Sequence, residues 1–188
     1  MRNVYEYCPQ FENEKFLLRL ISSEDSKELL RVYSDTEAVP FFNSDNCHGD
    51  DFYYKTLERM KQAVDFWVFS YNERYFVRWT IIDKETGEAV GTIELFHREA
   101  DEHFYECGLL RLDLRSDYEK ATQIVTIISL IKEAVFDLFY CKIIATKAVP
   151  QATERLQALR ELGFAASEKI IVGGDGTRYG DYYILEKK

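Results

Sequence analysis

The chain has few of the features that mark membrane, secreted or multidomain proteins. Its 188 residues include only three prolines, nine glycines and four cysteines, and no Pro- or Gly-rich linker divides them. No apolar run approaches the ~20 residues of a membrane-spanning helix, and the opening MRNVYEYCPQFENEKF lacks the apolar core of a signal peptide. We therefore expect one cytoplasmic domain over residues 1–188, with residues 1–14 as an N-terminal extension.

The numbers and spacing of the cysteine, histidine and basic residues do not indicate a disulfide-rich, metal-binding or nucleic-acid-binding protein. The cysteines include no C-x-x-C pair, so we predict no disulfide framework. The three histidines match no metal-ligand spacing, and no metal is predicted. With 33 acidic against 24 basic residues, the chain carries a net charge of −9. This charge argues against binding to nucleic acid or to an anionic membrane, because both need a basic surface.

Strand-like and helix-like segments fill the first half. The run KFLLRLIS predicts a strand, and SSEDSKELLRVYSD predicts a helix capped by Ser22 or Ser23. A second helix is predicted through DDFYYKTLERMKQAVDFW, because apolar residues recur at helical spacing from Phe52 to Trp67. The stretch YFVRWTIIDKETGEAVGTIELFH predicts two strands joined by a short loop in which Gly87 takes a positive φ.

The second half continues the alternation. A strand is predicted for HFYECGLLRLDL, a core-facing helix from Ala121 to Leu138, and a short strand for CKIIATKAV. PQATERLQALRELGF predicts a helix between Pro150 and Gly163, and SEKIIV and DYYILEK predict two strands around a Gly-rich turn. The order β-α-α-β-β-β-α-β-α-β-β predicts an α/β (α+β) fold in which a mixed sheet carries helices on both faces.

The link between the long predicted strand and its helix lies within residues 105–135. A helix N-terminus after a strand is an anion site, usually for phosphate, because unpaired N–H donors and positive partial charge collect there. The link RSDYEK contains no glycine, however, and carries Asp117 and Glu119. Those carboxylates can equally stabilise the helix dipole without any ligand, with Ser116 or Asp117 as the cap.

Five phrases resemble, in order, the GCN5-related N-acetyltransferase (GNAT) superfamily, particularly its RimJ/RimL-like branch. They are FLLRLISSEDSKELLRVYSDTEAV, RWTIIDKETGEAVGTIEL, YECGLLRLDL, LRELGF and YGDYYIL. The resemblance implies a mostly antiparallel GNAT sheet and an enzyme that transfers an acetyl group from acetyl-CoA directly to an amine. The implied partners are acetyl-CoA and a primary amine, on a small molecule or a protein N-terminus, with the chain a monomer or homodimer.

The same resemblance implies where the cofactor lies. The strand that contains Leu110 splays from its neighbour so that its free backbone groups pair with the pantetheine arm, and the next link and helix start hold the pyrophosphate. The implied cofactor-binding residues are Leu110, Arg111, Leu112, Arg115, Ser116, Asp117, Tyr118, Glu119, Lys120, Ala121 and Thr122.

The link departs from the family pattern of Gln or Arg, two residues, Gly, one residue, then Gly or Ala. The matching window runs from Ser116 to Ala121, and only its last residue agrees. Glu119 stands where glycine lets the backbone approach a phosphate closely. If its side chain points inward, its charge weakens cofactor binding severely; if it points to solvent, the cost is small. Arg115 and Lys120 can supply compensating positive charge.

The predicted late helix departs as well. Ala152 and Arg155 stand where the branch has an asparagine and, three residues later, a serine. Leu159 replaces a tyrosine that many relatives carry. A hydroxyl there would protonate the departing thiolate of CoA. Its loss slows the reaction without forbidding it, because a thiolate is a tolerable leaving group near neutral pH.

Two functions therefore stay open. One is an acetyl-CoA-dependent N-acetyltransferase whose general base is Glu106, expected on the strand beside the acyl site, or Glu94, on the neighbouring hairpin strand. Either glutamate can instead face solvent. The aromatic cluster from Phe41 to Tyr54 can line an acceptor pocket or pack in the core. The other function is a catalytically degenerate GNAT-fold module for binding or interaction, with weakened or lost CoA binding.

Overall fold

The computed structural model describes residues 3–99 and 104–187. Within these residues, no helix combines the length and apolar character needed to cross a bilayer. The helices are α1 (Ser26–Tyr33), α2 (Leu57–Asn72), α3 (Ala121–Leu138) and α4 (Thr153–Glu161). The strands are β1 (Phe11–Glu12), β2 (Phe16–Leu20), β3 (Val77–Asp83), β4 (Ala89–Arg98), β5 (Cys107–Leu114), β6 (Ile143–Lys147), β7 (Ala165–Ala166), β8 (Ile171–Val172), β9 (Arg178–Tyr179) and β10 (Tyr182–Glu186).

Eight strands form one sheet in the order β1-β2-β3-β4-β5-β6-β10-β7. Neighbouring strands are antiparallel except β5 and β6, which run parallel. The predicted mixed, mostly antiparallel sheet is confirmed. The two strands predicted around the Gly-rich turn do not pair with each other. Instead β8 pairs with β9 in a separate hairpin, and β10 lies between β6 and β7.

Helices cover both faces of the sheet, as predicted. On one face the apolar stripe of α3, which includes Ile124 and Ile128, shares a buried core with Leu110 and Leu112 of β5. Helices α1 and α2 contribute to a second core. The N-terminal segment is part of the domain's packing, because Val4 is buried in the first of these cores.

Helix α2 begins later than its apolar spacing predicted. The hydroxyl of Thr56 accepts a hydrogen bond from the backbone N–H of Arg59 at 3.2 Å and caps the helix. Phe52 precedes this cap and has a φ of 58°, a left-handed conformation that a right-handed helix excludes. Its place in the helical stripe was therefore wrong. Its ring packs instead against Tyr33 and Trp67.

Two predicted glycine positions have the expected backbone. Gly87, in the loop between β3 and β4, has a φ of 72°, and Gly163, just after α4, has a φ of 89°. Residues other than glycine rarely adopt these conformations. The hairpin and the end of α4 therefore lie where the sequence predicted them, and they position β4 and α4 beside β5.

Candidate functional site

Strands β5 and β6 pair over four residues and then separate. The last pair joins Leu110 to Thr146, whereas β5 continues along β4 as far as Leu114. One backbone edge of β5 therefore has no strand beside it after Leu110. This is the splay that the resemblance implied for the strand containing Leu110, Arg111 and Leu112. We refer to the opening between β5, the link 115–120 and α4 as the β5 cleft.

A buried ion pair occupies the β5 cleft. Arg155 of α4 meets Glu119 of the link, with Nε–Oε1 and Nη2–Oε2 distances of 2.8 and 2.7 Å. Nη1 of Arg155 also donates to the carbonyl oxygens of Leu112 at 2.8 Å and Phe41 at 3.0 Å. The two charged side chains are only 3% and 7% exposed. Glu119 thus points inward, and a backbone acceptor expected to face the pantetheine arm is bonded to Arg155.

Several backbone N–H groups around the start of α3 also have partners within the chain. Glu154 accepts a hydrogen bond from the N–H of Ala121 at 2.7 Å. Asp35 accepts from the N–H of Ser116 at 2.9 Å, and the N–H groups of residues 119–120 donate to carbonyls of the link. Two carboxylates therefore take two of the donors, the N–H groups of Ala121 and Ser116, that a helix N-terminus and its link offer to a phosphate.

A cavity of about 250 Å³ lies beside the start of α3. The charged residues that line it are Glu37, Glu119, Lys120 and Glu154. Arg115, the second cation expected to compensate Glu119, is already paired, because its Nε and Nη2 donate to Asp117 at 2.7 and 2.9 Å. Pyrophosphate and pantetheine would fit this frame of backbone groups only after Arg155 and Glu154 release the groups they hold.

Two further residues expected at the cofactor lie outside the β5 cleft. The hydroxyl of Tyr118 donates to Asp83 at 2.7 Å, in the body of the domain. Thr122 is exposed on the first turn of α3. Neither lines the cavity beside this helix start.

The opposite face of the sheet carries a buried row of charged side chains. Arg78, Glu94 and Arg111 are direct cross-strand neighbours on β3, β4 and β5. One oxygen of Glu94 accepts from Arg111 at 2.7 Å, and the other accepts from Arg78. Burial acts to raise the pKa of Glu94, but the two guanidinium groups outweigh it and hold that pKa below its ordinary value. Glu94 is therefore a stable anion and a weak base.

Asp113 adds a second carboxylate to this network. It accepts hydrogen bonds from the hydroxyl of Tyr33 at 2.7 Å and from Nη1 of Arg78 at 3.2 Å. Burial raises the pKa of Asp113 above its ordinary value in spite of Arg78. Two carboxylates on the same sheet face therefore have pKa values shifted in opposite directions.

An open cavity of about 470 Å³ lies over Glu94 and Arg111. Its aromatic lining residues are Phe52, Tyr54, Phe66, Trp67, Tyr75, Phe76 and Phe96. Cys47 also lines it, and burial raises the pKa of this thiol to about 11, so the thiol is protonated at neutral pH. The predicted aromatic cluster thus serves both uses, because Phe42, Phe52 and Tyr54 pack in one buried core, and Phe52 and Tyr54 also line the cavity.

Glu106 lies apart from Glu94. It belongs to the turn before β5, which begins at Cys107, so its predicted place on the strand was wrong. Its φ of 51° is left-handed and incompatible with a strand. Glu106 lines a different cavity, of about 420 Å³, together with His97 and Tyr140. The structure therefore brings Glu94, but not Glu106, to the aromatic cavity.

Lys147 and Tyr182, which the sequence analysis missed, extend the charged row. Nζ of Lys147 contacts both carboxylate oxygens of Asp45 at 2.7 and 2.8 Å. The Tyr182 hydroxyl donates to Asp45 at 3.0 Å, and Nη2 of Arg111 donates to the Asp45 carbonyl at 2.8 Å. Only the alternation of strands β6 and β10 could have indicated their orientation, since Asp45 lies more than 100 residues away.

A family model for the acetyltransferase (GNAT) domain matches residues 15–165. The chain is 25% identical over 95 residues to the uncharacterized N-acetyltransferase YoaA of Bacillus subtilis (strain 168). That match covers 50% of this chain and 49% of YoaA, so the chain spans about half the length of this curated relative.

Solved structures show the same fold at low identity. A GNAT-family acetyltransferase from Bacillus anthracis has a TM-score of 0.68 and 15% identity, over 95% of this chain and 98% of its own. The ribosomal-protein acetyltransferase RimL, solved in complex with coenzyme A, has a TM-score of 0.69 and 11% identity, over 95% and 98%. These neighbours show that the chain has the fold of such acetyltransferases. Because the family model spans most of its length, the chain belongs to the GNAT acetyltransferase family.

Proposed function

We propose that the chain is an acetyl-CoA-dependent N-acetyltransferase that acts on a primary amine by direct attack. The observation that carries this proposal is the separation of β5 from β6 after Leu110, beside the start of α3, in a member of the GNAT family. When bound, acetyl-CoA supplies the activated acetyl thioester. The backbone of Leu110–Leu112, the backbone of the link 115–120 and the start of α3 at Ala121 are the parts of this chain proposed to hold the cofactor.

The aromatic cavity over Glu94 is the proposed acceptor site. Its aromatic walls favour an amine on an apolar or aromatic body. Glu94 lies at its floor, where both carboxylate oxygens already accept hydrogen bonds from Arg78 and Arg111. Because the two arginines lower its pKa and occupy both of its oxygens, Glu94 is not proposed as the general base. Water then takes the proton before the neutral amine attacks. Glu106 has no part in this proposal, since it lines another cavity.

Two phenylalanines on α2 provide a matched test of the acceptor site. Phe66 and Phe69 are 56% and 51% exposed, but only Phe66 lines the aromatic cavity. Release of CoA from acetyl-CoA would be measured with a panel of small amines and peptides with free N-termini. Phe66→Ala is expected to raise KM for the amine several-fold, whereas Phe69→Ala leaves it unchanged. Equal effects of the two changes would contradict this acceptor site.

A second candidate function is a GNAT-fold module that binds a partner without catalysis. The specific observation in its favour is the Glu119–Arg155 pair inside the β5 cleft. Folded protein that releases no CoA with any amine in the panel would favour this second function over the first.

A further inference from the structure

Two departures from the family pattern meet each other in space. Glu119 stands where the family's phosphate link has a glycine, and Arg155 stands where its late helix has a serine. The two residues lie 36 positions apart and form a buried pair with two hydrogen bonds. We propose that this pair is a plug, which occupies the route of the pantetheine arm and limits the affinity of the chain for CoA. The inference rests on the proposed function, because it concerns the same cleft.

The contacts of Arg155 explain why the plug is specific to this cleft. Its guanidinium joins α4 to the link through Glu119, to β5 through the carbonyl of Leu112, and to the segment after α1 through the carbonyl of Phe41. The bond to Leu112 lies on the part of β5 that has no pairing with β6. A ligand that bonds to the backbone of Leu112 must therefore displace Arg155 and separate it from Glu119.

That displacement has a large effect on affinity. Separation of a buried ion pair strands a charge in a poorly solvated site unless a new partner is found, and the free-energy penalty corresponds to roughly a 100-fold or larger change in an equilibrium constant. A phosphate ligand could pair with the released Arg155, but it would repel the released Glu119. The plug therefore predicts weak CoA binding by the natural chain.

Glu154 is a second residue expected to weaken the binding of CoA. Its carboxylate bonds to the N–H of Ala121 at the start of α3, where a pyrophosphate oxygen would otherwise accept. Since Glu154 is at the surface and Arg155 is buried, Glu154 can move to solvent more easily. The plug itself is therefore expected to dominate the affinity.

The plug is tested by isothermal titration of purified full chain with CoA, without any acceptor. The test variant is the double change Glu119→Gly with Arg155→Ser, which introduces the family's residues at both positions. It is expected to bind CoA about 100-fold more tightly than the natural chain. The matched control is Gln157→Ser with Glu161→Ala, which removes an exposed 2.9 Å side-chain hydrogen bond from the same helix and leaves CoA affinity unchanged.

A second variant allows the test to be made if the first variant does not fold. Glu119→Gln with Arg155→Gln keeps side chains of similar length but removes both charges, and it is expected to bind CoA about 10-fold more tightly than the natural chain. Circular dichroism identifies which variants fold. Equal affinities of the natural chain and the folded charge-free variant would overturn the proposal. Micromolar binding by the natural chain that neither variant improves would overturn it too.

The same experiment separates the plug from the proposed function. Tight CoA binding by the double variant, with no acetylation of any amine by either protein, supports the plug and contradicts the N-acetyltransferase proposal. Rapid acetylation by the natural chain, with no gain in affinity from either double change, supports the enzyme and contradicts the plug.

Discussion

Two buried ion networks lie beside β5, and they differ in how the chain forms them. Arg78, Glu94 and Arg111 stand in register on adjacent strands, 16 and 17 residues apart. Glu119 and Arg155 come from a link and a helix and meet where one strand is missing from β5. The first network is therefore part of the sheet, whereas the second lies in the β5 cleft, where we propose that the pantetheine arm of CoA binds.

We therefore expect changes in the first network to alter the stability of the fold, and changes in the second to alter the affinity for a ligand. Removal of a charge from the network of Arg78 and Glu94 leaves its partners buried under helices, so the expected effect is on folding. Removal of both charges from the β5 cleft leaves an opening lined by backbone groups, and the expected effect is on ligand binding.

The largest effect is expected for Arg78→Met. This change leaves Glu94 and Asp113 buried without their shared cation, and the free energy of unfolding should fall by about 3–5 kcal/mol, a large part of typical domain stability. Urea denaturation would measure it. As a control, Arg31→Met removes an exposed pair with Glu88 and should cost at most about 1 kcal/mol. A similar loss in both variants would contradict a structural role for the row.

A smaller effect with a distinctive pH dependence is expected for Glu94→Gln, which should cost about 3 kcal/mol at pH 7. The pKa of Glu94 is held below its ordinary value of 4.5 in the folded chain. Its charge therefore stabilises the fold above pH 4.5, and that stabilisation disappears as the pH falls through the folded pKa. Unfolding curves of the two proteins should converge in this acidic range.

Asp113→Asn is the counterpart of that change. Because burial raises the pKa of Asp113 above its ordinary value of 3.8, folding favours its neutral form, and ionisation costs stability as the pH rises through the folded pKa. A neutral asparagine should therefore alter stability by about 1 kcal/mol or less at pH 7. A loss as large as that of Glu94→Gln would show that the two carboxylates are equivalent.

The smallest effect is expected for Glu154→Gln. The amide oxygen can still accept from the N–H of Ala121, so only the interaction of the charge with the α3 dipole is lost, about 0.3–1 kcal/mol. Thermal unfolding would detect this change. CoA affinity should rise a few-fold, far less than after removal of the plug.

Local sequence patterns predicted most of the fold because the responsible interactions are local. The stripe of α3 and the glycine turn between β3 and β4 are examples, and both lie where expected. Phe52 was misplaced because the apolar spacing of α2 continues past the cap at Thr56. The contact between Glu119 and Arg155 was not predictable from the sequence. Each residue differs from the family pattern in a different segment, and the two meet only because β5 separates from β6.

The open backbone edge of β5 has a consequence for solubility. Unpaired strand edges are templates for strands of other chains, and natural sheets often protect them with charged side chains. The guanidinium of Arg155 on the carbonyl of Leu112 is such a guard in the middle of a sheet. A chain that loses this arginine without gaining a ligand would leave the Leu112 carbonyl without this partner, and we expect it to aggregate more readily than the natural chain.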